Sequence, residues 1–250
     1  MNDTKKTRQL ILFILVPLLI MFASLFLGRY PIDLSTVIEV LWCKITFQPC
    51  TAAEIFQTLV WDIRLPRVIV GALVGGCLAI SGAAFQGLFR NPLVSSGILG
   101  VSSGAGFGAA LAIILFNYLP TTYIFAFVFG VLAVVISYLI GRIYSSTPTI
   151  MLVLGGVIVS SVFSALISML KYMADPLNEL PAIVFWLMGS LASARFQDIW
   201  TAGVPMLIGT LGLLAVRWRI NVLSMGDREA HTLGINTVVN KGFIIACATL

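Results

Sequence analysis

Two arginines, Arg64 and Arg67, flank a proline in the segment Arg64-Leu-Pro-Arg67 and are the clearest candidates for binding charged groups. An arginine guanidinium forms bidentate, charge-assisted hydrogen bonds with carboxylates. Pro66 restricts the backbone and would set the point at which the following helix begins. The pair predicts either docking of acidic side chains from a partner outside the membrane or anchoring at the membrane surface, where arginine side chains extend toward water.

The segment 225–235 is polar and predicts a short amphipathic helix. Asp227 is the predicted N-cap, and Gly234 is the predicted C-terminal stop. Such a helix either lies on lipid or fits a groove on a partner protein. Two carboxylates, those of Asp227 and Glu229, accompany the guanidinium of Arg228, so the charge suits a protein groove better than an anionic lipid surface.

Small residues recur at a spacing of four in three stretches, which places each set on one helix face. Close packing at small residues holds helices together in lipid, and that role is expected for the first two sets. The serines of the third set have two possible roles, because their hydroxyls can bond back to their own helix or line a polar path. The sets are Gly71, Gly75, Ala79, Ala83 and Gly87; Gly100, Gly104, Gly108 and Ala112; and Gly156, Ser160, Ser164 and Ser168.

Metal binding and nucleophilic chemistry are not indicated by the cysteine and histidine pattern. His231 has no second histidine or cysteine at ligand spacing, so neither a metal site nor a catalytic residue is predicted. Cys77 and Cys247 lie in apolar runs and are expected to pack as small hydrophobic side chains. Cys43 and Cys50 flank one short loop and could form a disulfide if that loop faces an oxidising compartment. The sequence alone leaves their pairing open.

The composition is that of a membrane protein. Of 250 residues, 10% are charged and 59% are hydrophobic, and the mean hydropathy is +1.04. Soluble domains carry about 25% charged residues, and a soluble monomer cannot bury this much apolar surface. The composition excludes a soluble enzyme, a disordered chain and a nucleic-acid reader, and it predicts an all-α polytopic membrane protein.

Charge-free apolar stretches predict six complete transmembrane helices and the start of a seventh. Asn91–Gly141 must hold two helices, because the polar turn at 117–122 divides it. Leu180–Ala194 is too short to span and is expected to be a re-entrant or interfacial helix. The remaining predicted spans are Leu10–Gly28, Val68–Phe89, Ile143–Leu170, Ile199–Val216 and a run that starts near Phe243.

The placement of Lys and Arg predicts a cytoplasmic N-terminus. In that orientation the basic residues are more numerous inside, and the short loops at Arg90 and Arg142 both lie on the inner side. No ionisable side chain falls within a predicted span. Ion-coupled carriers usually hold such groups at depth, so the pattern favours a transporter driven by another subunit, or passive gating.

Five segments together resemble the FecCD-type permeases of ABC importers, the iron-siderophore, haem and cobalamin permeases. The resemblance covers essentially the whole chain and implies a cobalamin-permease-like helical bundle, with residues 1–250 in a single transmembrane permease domain. The segments, in the order that the family has them, are Arg64-Leu-Pro-Arg67, Gln86-Gly-Leu-Phe-Arg-Asn-Pro-Leu93, Gly97-Ile-Leu-Gly-Val-Ser-Ser-Gly-Ala105, Trp186-Leu-Met-Gly-Ser-Leu191 and Gly226-Asp-Arg-Glu-Ala-His-Thr-Leu-Gly234.

The resemblance implies partners rather than chemistry in this chain. A separate ABC ATPase would bind ATP, so the permease itself would need no cofactor. A periplasmic or lipid-anchored substrate-binding protein would deliver the metal chelate. A second permease copy, or a paralogue, would complete a dimer in the lipid of a prokaryotic cytoplasmic membrane. No nucleic acid is involved.

The resemblance also implies roles for named residues. Arg64 and Arg67 would receive glutamates of the binding protein, and residues 180–191 would form a short outer helix. The residues expected to couple to the ATPase are Gly226, Asp227, Arg228, Glu229, Ala230, Leu233 and Gly234. Those expected at the translocation path and its cytoplasmic gate are Thr147, Thr149, Ser160, Ser164 and Ser168. Those expected to pack helices are Gly71, Gly75, Gly87, Gly100, Gly104 and Gly108.

The chain departs from the family in length, since about three further helices are expected beyond Leu250. The sequence is therefore interpreted as an incomplete permease, either a fragment or a truncation. Two alternatives stay open: a secondary carrier or channel that needs no ATPase, and an inactive truncated remnant or scaffold.

Overall fold

The computed structural model of the chain describes residues 3–142 and 149–250, and the regular elements there are helices. The predicted all-α fold class is confirmed. The helices are α1 (Asp3–Ser24), α2 (Leu34–Thr46), α3 (Glu54–Gln57), α4 (Leu65–Phe89), α5 (Val101–Phe116), α6 (Leu119–Gly141), α7 (Thr149–Met173), α8 (Glu179–Met188), α9 (Phe196–Ala215), α10 (Arg217–Met225), α11 (Asp227–Thr232) and α12 (Thr237–Thr249), with a π-helical stretch, Thr58–Arg64, between α3 and α4.

Five helical segments within the described residues are long and apolar enough to cross a membrane: Thr7–Ser24, Glu54–Phe89, Leu119–Gly141, Thr149–Met173 and Phe196–Ala215. The predicted span at the start of the 91–141 stretch is shorter than expected. It is α5, with 16 residues, and at 1.5 Å per residue it is roughly 24 Å long, against a hydrocarbon core of about 30 Å. Turns occupy residues 91–100, where Pro92 and two glycines disfavour helix.

The chain divides into two compact units. Unit 1 contains Met1–Gly75 and Leu191–Val204, and unit 2 contains Gly76–Ser190 and Pro205–Leu250. Each unit has its own buried apolar cluster.

Unit 1 contains α2, a helix that the sequence analysis did not predict. The side chains of Val37 and Val40 point inward and are fully buried, with Val60 of the π-helical stretch in the same cluster. The loop after α2 is held by the carboxylate of Glu39, which accepts hydrogen bonds from the backbone nitrogens of Thr51 and Ala52 and from the Thr51 hydroxyl. The Thr51 hydroxyl bond, more than the backbone bonds, lowers the pKa of Glu39.

The helix that contains Pro66 begins earlier than predicted. The apolar pattern starts it near Val68, but the helical backbone is continuous from Glu54 to Phe89. Pro66 lacks a backbone donor, which would break a regular α-helical hydrogen bond. The π-helical turns that end at Arg64 lie directly before it and change the hydrogen-bond register.

Unit 2 is built around α5, whose alanines and glycines are largely buried. Neighbouring helices α6 and α7 pack on it, and α8 packs near its C-terminal half through Ile183, which is fully buried. The larger cluster of unit 2 joins α4, α7 and α12 through Phe85, Leu152 and Ile244, each of them fully buried. Ala230 of α11 is buried in the same cluster.

The four cysteines are free thiols. The Cys43 thiol lies 3.9 Å from the carbonyl oxygen of Pro49 and hydrogen-bonds with Cys50. That hydrogen bond, together with burial, raises the pKa of Cys43 to about 11.

Candidate functional site

Residues 226–234, which we call the coupling segment, contain α11 between two glycines with positive φ. Gly226 has φ of 146° and Gly234 has φ of 76°, values that side-chain-bearing residues rarely adopt. Gly226 is the N-cap, so the prediction of Asp227 at that position was wrong. Asp227 is instead the first helical residue, and its carboxylate is engaged by a lysine.

The coupling segment has a buried side and an exposed side. Ala230 is fully buried, and Ile235 directly after the segment is 8% exposed. Arg228 and Glu229 are exposed, and Leu233 is 56% exposed. The exposed side therefore offers both charges and an apolar side chain, the mixture that protein–protein contacts use.

Polar contacts tie the coupling segment and α10 to α12. The Lys241 ammonium donates to the Asp227 carboxylate over 2.8 Å. Arg219 of α10 donates to the side-chain oxygen of Asn240 over 2.9 Å. The Asn236 side chain caps α12 by accepting from the backbone nitrogen of residue 239. Three consecutive helices are thereby linked.

Sequence reasoning missed Lys241. The structure places it inside α12 with 1% of its surface exposed. The available signal was that Asn240 and Lys241 interrupt an otherwise apolar run. The identity of the partner, 14 residues earlier in the chain, could not be read from spacing.

Arg64 faces the interior of unit 1, which corrects the expectation that it points to the outer water layer. Arg64 is 8% exposed, and its guanidinium donates to the carbonyls of Leu25 (2.6 Å), Phe26 (3.1 Å) and Tyr30. A side chain at Gly28 would approach the guanidinium to 2.9 Å. These carbonyls follow the end of α1 and lack helical partners, so Arg64 satisfies them.

Arg67 is partly exposed, and it contacts the other segment of unit 1, residues Leu191–Val204. Its Nε donates to the carbonyl of Leu191 over 3.1 Å, and its Nη2 donates to that of Ala192 over 2.6 Å. A guanidinium has five N–H donors, so these two bonds leave donors for a carboxylate. The two predicted docking arginines are thus differently placed, and Arg67 is the accessible one.

The candidate path serines lie on α7 and differ in exposure. Ser160 is half-buried, and its hydroxyl would lie 3.1 Å from a Cβ at Gly100. Ser164 and Ser168 are exposed. The hydroxyl of Ser168 donates to the Ser164 carbonyl over 3.0 Å, the intrahelical bond that was one of the two expected roles.

Of the two candidate gate threonines, Thr147 lies outside the described residues. Thr149 is the first residue of α7 and is half-buried. It lines a cavity of about 200 Å³ in unit 2, together with Phe89, Asn91, Val94, Ile150, Val153 and Leu154.

At Gly104 and Gly108, α5 approaches α6 closely. A Cβ at Gly104 would lie 2.6 Å from that of Ala133, and a Cβ at Gly108 would lie 2.7 Å from the carbonyl carbon of Phe125. Both distances are below what real Cβ atoms show. The glycines of this set therefore permit backbone-to-backbone packing.

The glycines of α4 have more room. A Cβ at Gly71 would lie 3.4 Å from the side chain of Leu191, and one at Gly87 would lie 3.2 Å from that of Ile220. Nothing in the described part of the chain comes within 4 Å of a Cβ at Gly75. This set does not impose the close approach seen on α5.

Across residues 3–142 and 149–250, the His, Cys, Asp and Glu side chains form no group of three or more that could hold a metal ion. The long apolar helices are those of a membrane protein.

Comparison with known proteins agrees with this description. The sequence profile of the FecCD transport family matches residues 14–250. The molybdate import system permease protein MolB of Haemophilus influenzae is 38% identical over 250 residues, covering 95% of this chain and 72% of that protein. The cobalamin import system permease protein BtuC of Halobacterium salinarum is 39% identical over 202 residues, covering 79% of this chain and 53% of that protein.

A solved structure is also similar. It is an inward-facing conformation of an ABC transporter of the metal-chelate type, with a TM-score of 0.78 and 33% sequence identity. The match covers 96% of this chain and 75% of that chain. The present chain thus spans between about half and three quarters of the proteins that it matches.

Proposed function

The chain belongs to the FecCD transport family, and from this premise we propose that it is the membrane-spanning subunit of an importer driven by a separate ATPase. The relatives are transport permeases, not enzymes. Five apolar helices that could each span the bilayer support a multi-pass location in the cytoplasmic membrane. With the N-terminus in the cytoplasm and the shorter helix α5 crossing the membrane as a sixth span, the coupling segment would lie on the same side as ATP.

The observation that carries the proposal is the coupling segment. Burial of Ala230 and the ion pair between Asp227 and Lys241 fix the helix of this segment. Arg228, Glu229 and Leu233 stay exposed. A short, fixed helix with an exposed mixed face suits a groove on another protein. We propose that the ATPase subunit provides that groove, and that ATP hydrolysis there shifts the permease between inward and outward states.

The proposed substrate is a metal chelate such as a ferric siderophore, haem or cobalamin. Support comes from the relative that imports cobalamin and from the metal-chelate type of the similar structure. The relative that imports molybdate makes a metal oxyanion the competing substrate class. The path would run beside α7, where Ser164 and Ser168 face outward, and a second permease copy would close it from the other side.

The proposed contact with the substrate-binding protein is Arg67. Its guanidinium is partly exposed and retains donors for a carboxylate. Arg64 would act indirectly, because it fixes the backbone at 25–30 within the same unit. Membrane lipid would surround the exposed apolar side chains of α1, such as Phe13, which is 78% exposed.

The experiment reconstitutes the full chain with its ATPase and measures complex formation and stimulation of ATP hydrolysis. Leu233→Asp and Arg228→Glu alter the exposed face of the coupling segment and should each weaken the complex and reduce the stimulation. Asn221→Asp changes an exposed residue of α10 and is the matched control. Full stimulation by both coupling-segment variants would remove the segment from the ATPase contact.

A further inference from the structure

Cys43 and Cys50 lie within reach of each other in unit 1, at the C-terminal end of α2. The Cys43 thiol is 3.9 Å from the carbonyl oxygen of Pro49, the residue directly before Cys50, and the two thiols are hydrogen-bonded to each other. Cys43 is 8% exposed, and Cys50 is partly exposed. A disulfide can form only where two cysteine side chains already point toward each other, and a hydrogen bond between the thiols meets that condition.

Contacts along one face of α2 hold Cys50 in this position. Glu39 and Cys43 are four residues apart in α2, so they lie on the same helix face. The Glu39 carboxylate accepts from the backbone nitrogens of residues 51 and 52 over 3.1 and 3.0 Å, while Pro49 contacts Cys43. The chain is therefore tied to α2 on both sides of Cys50, which keeps the two thiols aligned.

Cys77 and Cys247, by contrast, contact different sides of α9. The Cys77 thiol lies 3.4 Å from the hydroxyl of Thr210, and the Cys247 thiol would lie 2.6 Å from a Cβ at Gly212. Positions two apart on a helix do not face the same side, so α9 stands between these two thiols. They serve as controls within the same molecule.

The proposed orientation places the α2 loop where disulfides form. With the N-terminus in the cytoplasm, α1 crosses the membrane once, so α2 and the loop after it lie on the outer side. Disulfides form and persist outside the bacterial cytoplasm, whereas cytosolic thiols are kept reduced. This step rests on the proposed function, while the proximity of the two thiols does not.

We propose that Cys43 and Cys50 form a disulfide in the folded chain, by exchange with the disulfide of an extracytoplasmic thiol oxidase. The Cys50 thiolate, which is the more exposed, attacks the oxidant and forms a mixed disulfide. The Cys43 thiolate then attacks the Cys50 sulfur and releases the oxidant. One S–S bond forms in the permease and one breaks in the oxidant, which takes up both electrons and both thiol protons and becomes a dithiol.

The first experiment traps thiols in cells that make the full chain. Acid-quenched cells are treated with a light maleimide, then reduced and treated with an isotopically heavy one, and each cysteine is followed by mass spectrometry. We expect heavy label on Cys43 and Cys50, and light label on Cys77 and Cys247. Light label on all four cysteines would overturn the inference, because the pair would then be reduced in the cell.

The second experiment follows the reduced, purified chain in oxidised glutathione. Cys43→Ser should accumulate a glutathione adduct on Cys50, whereas Cys50→Ser should leave Cys43 largely unmodified because that thiol is buried. Adducts that form equally fast on the two cysteines would overturn the proposed order of attack.

The same assay tests Glu39 as a positioning residue. Glu39→Ala should slow formation of the disulfide several-fold, and Glu39→Gln, which keeps an acceptor oxygen, should restore most of the rate. Glu54→Ala changes an exposed glutamate of the same unit and is the matched control. An unchanged rate in Glu39→Ala would overturn the alignment of the thiols by this carboxylate.

Failure of the proposed orientation looks different. Gln48→Cys, in a chain without Cys43 and Cys50, places a thiol at an exposed position of the same loop. A membrane-impermeant maleimide should label it from outside in intact spheroplasts. Labelling only after the membrane is opened would refute both the orientation and the disulfide. Labelling from outside, together with reduced Cys43 and Cys50 in the native chain, would refute the disulfide alone.

Discussion

The contact between α5 and α6 yields a quantitative prediction through Gly108→Ala. The added Cβ would lie 2.7 Å from the carbonyl carbon of Phe125 and 2.9 Å from the Cβ of Phe129. Ordinary contacts of this kind begin at 3.4 Å, so the two helices must separate by several tenths of an ångström. Overpacking that moves a backbone costs about 1–3 kcal/mol.

Gly76→Ala is the matched control. Gly76 also lies inside a helix, but nothing in the described residues comes within 4 Å of its Cβ position. Both variants gain the helix propensity of alanine over glycine, about 1 kcal/mol, so the difference between them isolates the clash. For a chain of this size, 1–3 kcal/mol corresponds to roughly 2–12 °C in the unfolding midpoint.

The assay is thermal unfolding of each detergent-solubilised variant, followed by size-exclusion chromatography with a fluorescent tag. We expect Gly108→Ala to melt roughly 2–12 °C below Gly76→Ala. Equal midpoints would refute the reasoning, because they would mean that α5 and α6 are not in backbone contact at this position.

Three further predictions concern unit 1. The pKa of Cys43 is raised to about 11 from an ordinary value of 9.0, so alkylation of Cys43 in the reduced chain, measured by mass spectrometry, should increase until about pH 11. Cys50→Ala should move this pH dependence of alkylation to lower pH. A wild-type alkylation midpoint near pH 9 would contradict the prediction. Arg64→Met leaves three carbonyls without their donor and should lower the free energy of unfolding by about 1–3 kcal/mol. We expect faster proteolysis at residues 25–30 in this variant. Unchanged cleavage there would count against the inward contact of Arg64. Arg67→Glu should weaken binding-protein affinity, and more strongly at low salt, as measured by surface plasmon resonance at two ionic strengths; equal affinity would exclude Arg67 from docking.

Much of the fold could be predicted because apolar length is a strong signal. The helices at Leu119–Gly141 and Thr149–Met173 follow from charge-free stretches and from the polar turn between the first of them and α5. The length of α5 could not be read in this way, since residues 91–100 are also free of charge. Proline and glycine favour turns there, so these residues do not form a helix although they carry no charge.

The sequence predicts which segments form the candidate site, but it does not predict the contacts that their side chains make. The coupling segment was found because it is polar and bounded by glycine, yet Asp227 was assigned to a cap because cap spacing is local. Its actual partner, Lys241, is set by tertiary packing. The inward orientation of Arg64 has the same origin, since its acceptors at 25–30 are far away in sequence.

The most direct test of the proposed importer is to measure which energy source drives uptake. The full chain, its ATPase and its binding protein are reconstituted in proteoliposomes, and uptake of the metal-chelate probes is compared with ATP supplied to the ATPase and with a proton or sodium gradient alone. We expect uptake that requires ATP and disappears when the ATPase is omitted. Uptake driven by the gradient without ATP or ATPase would contradict it.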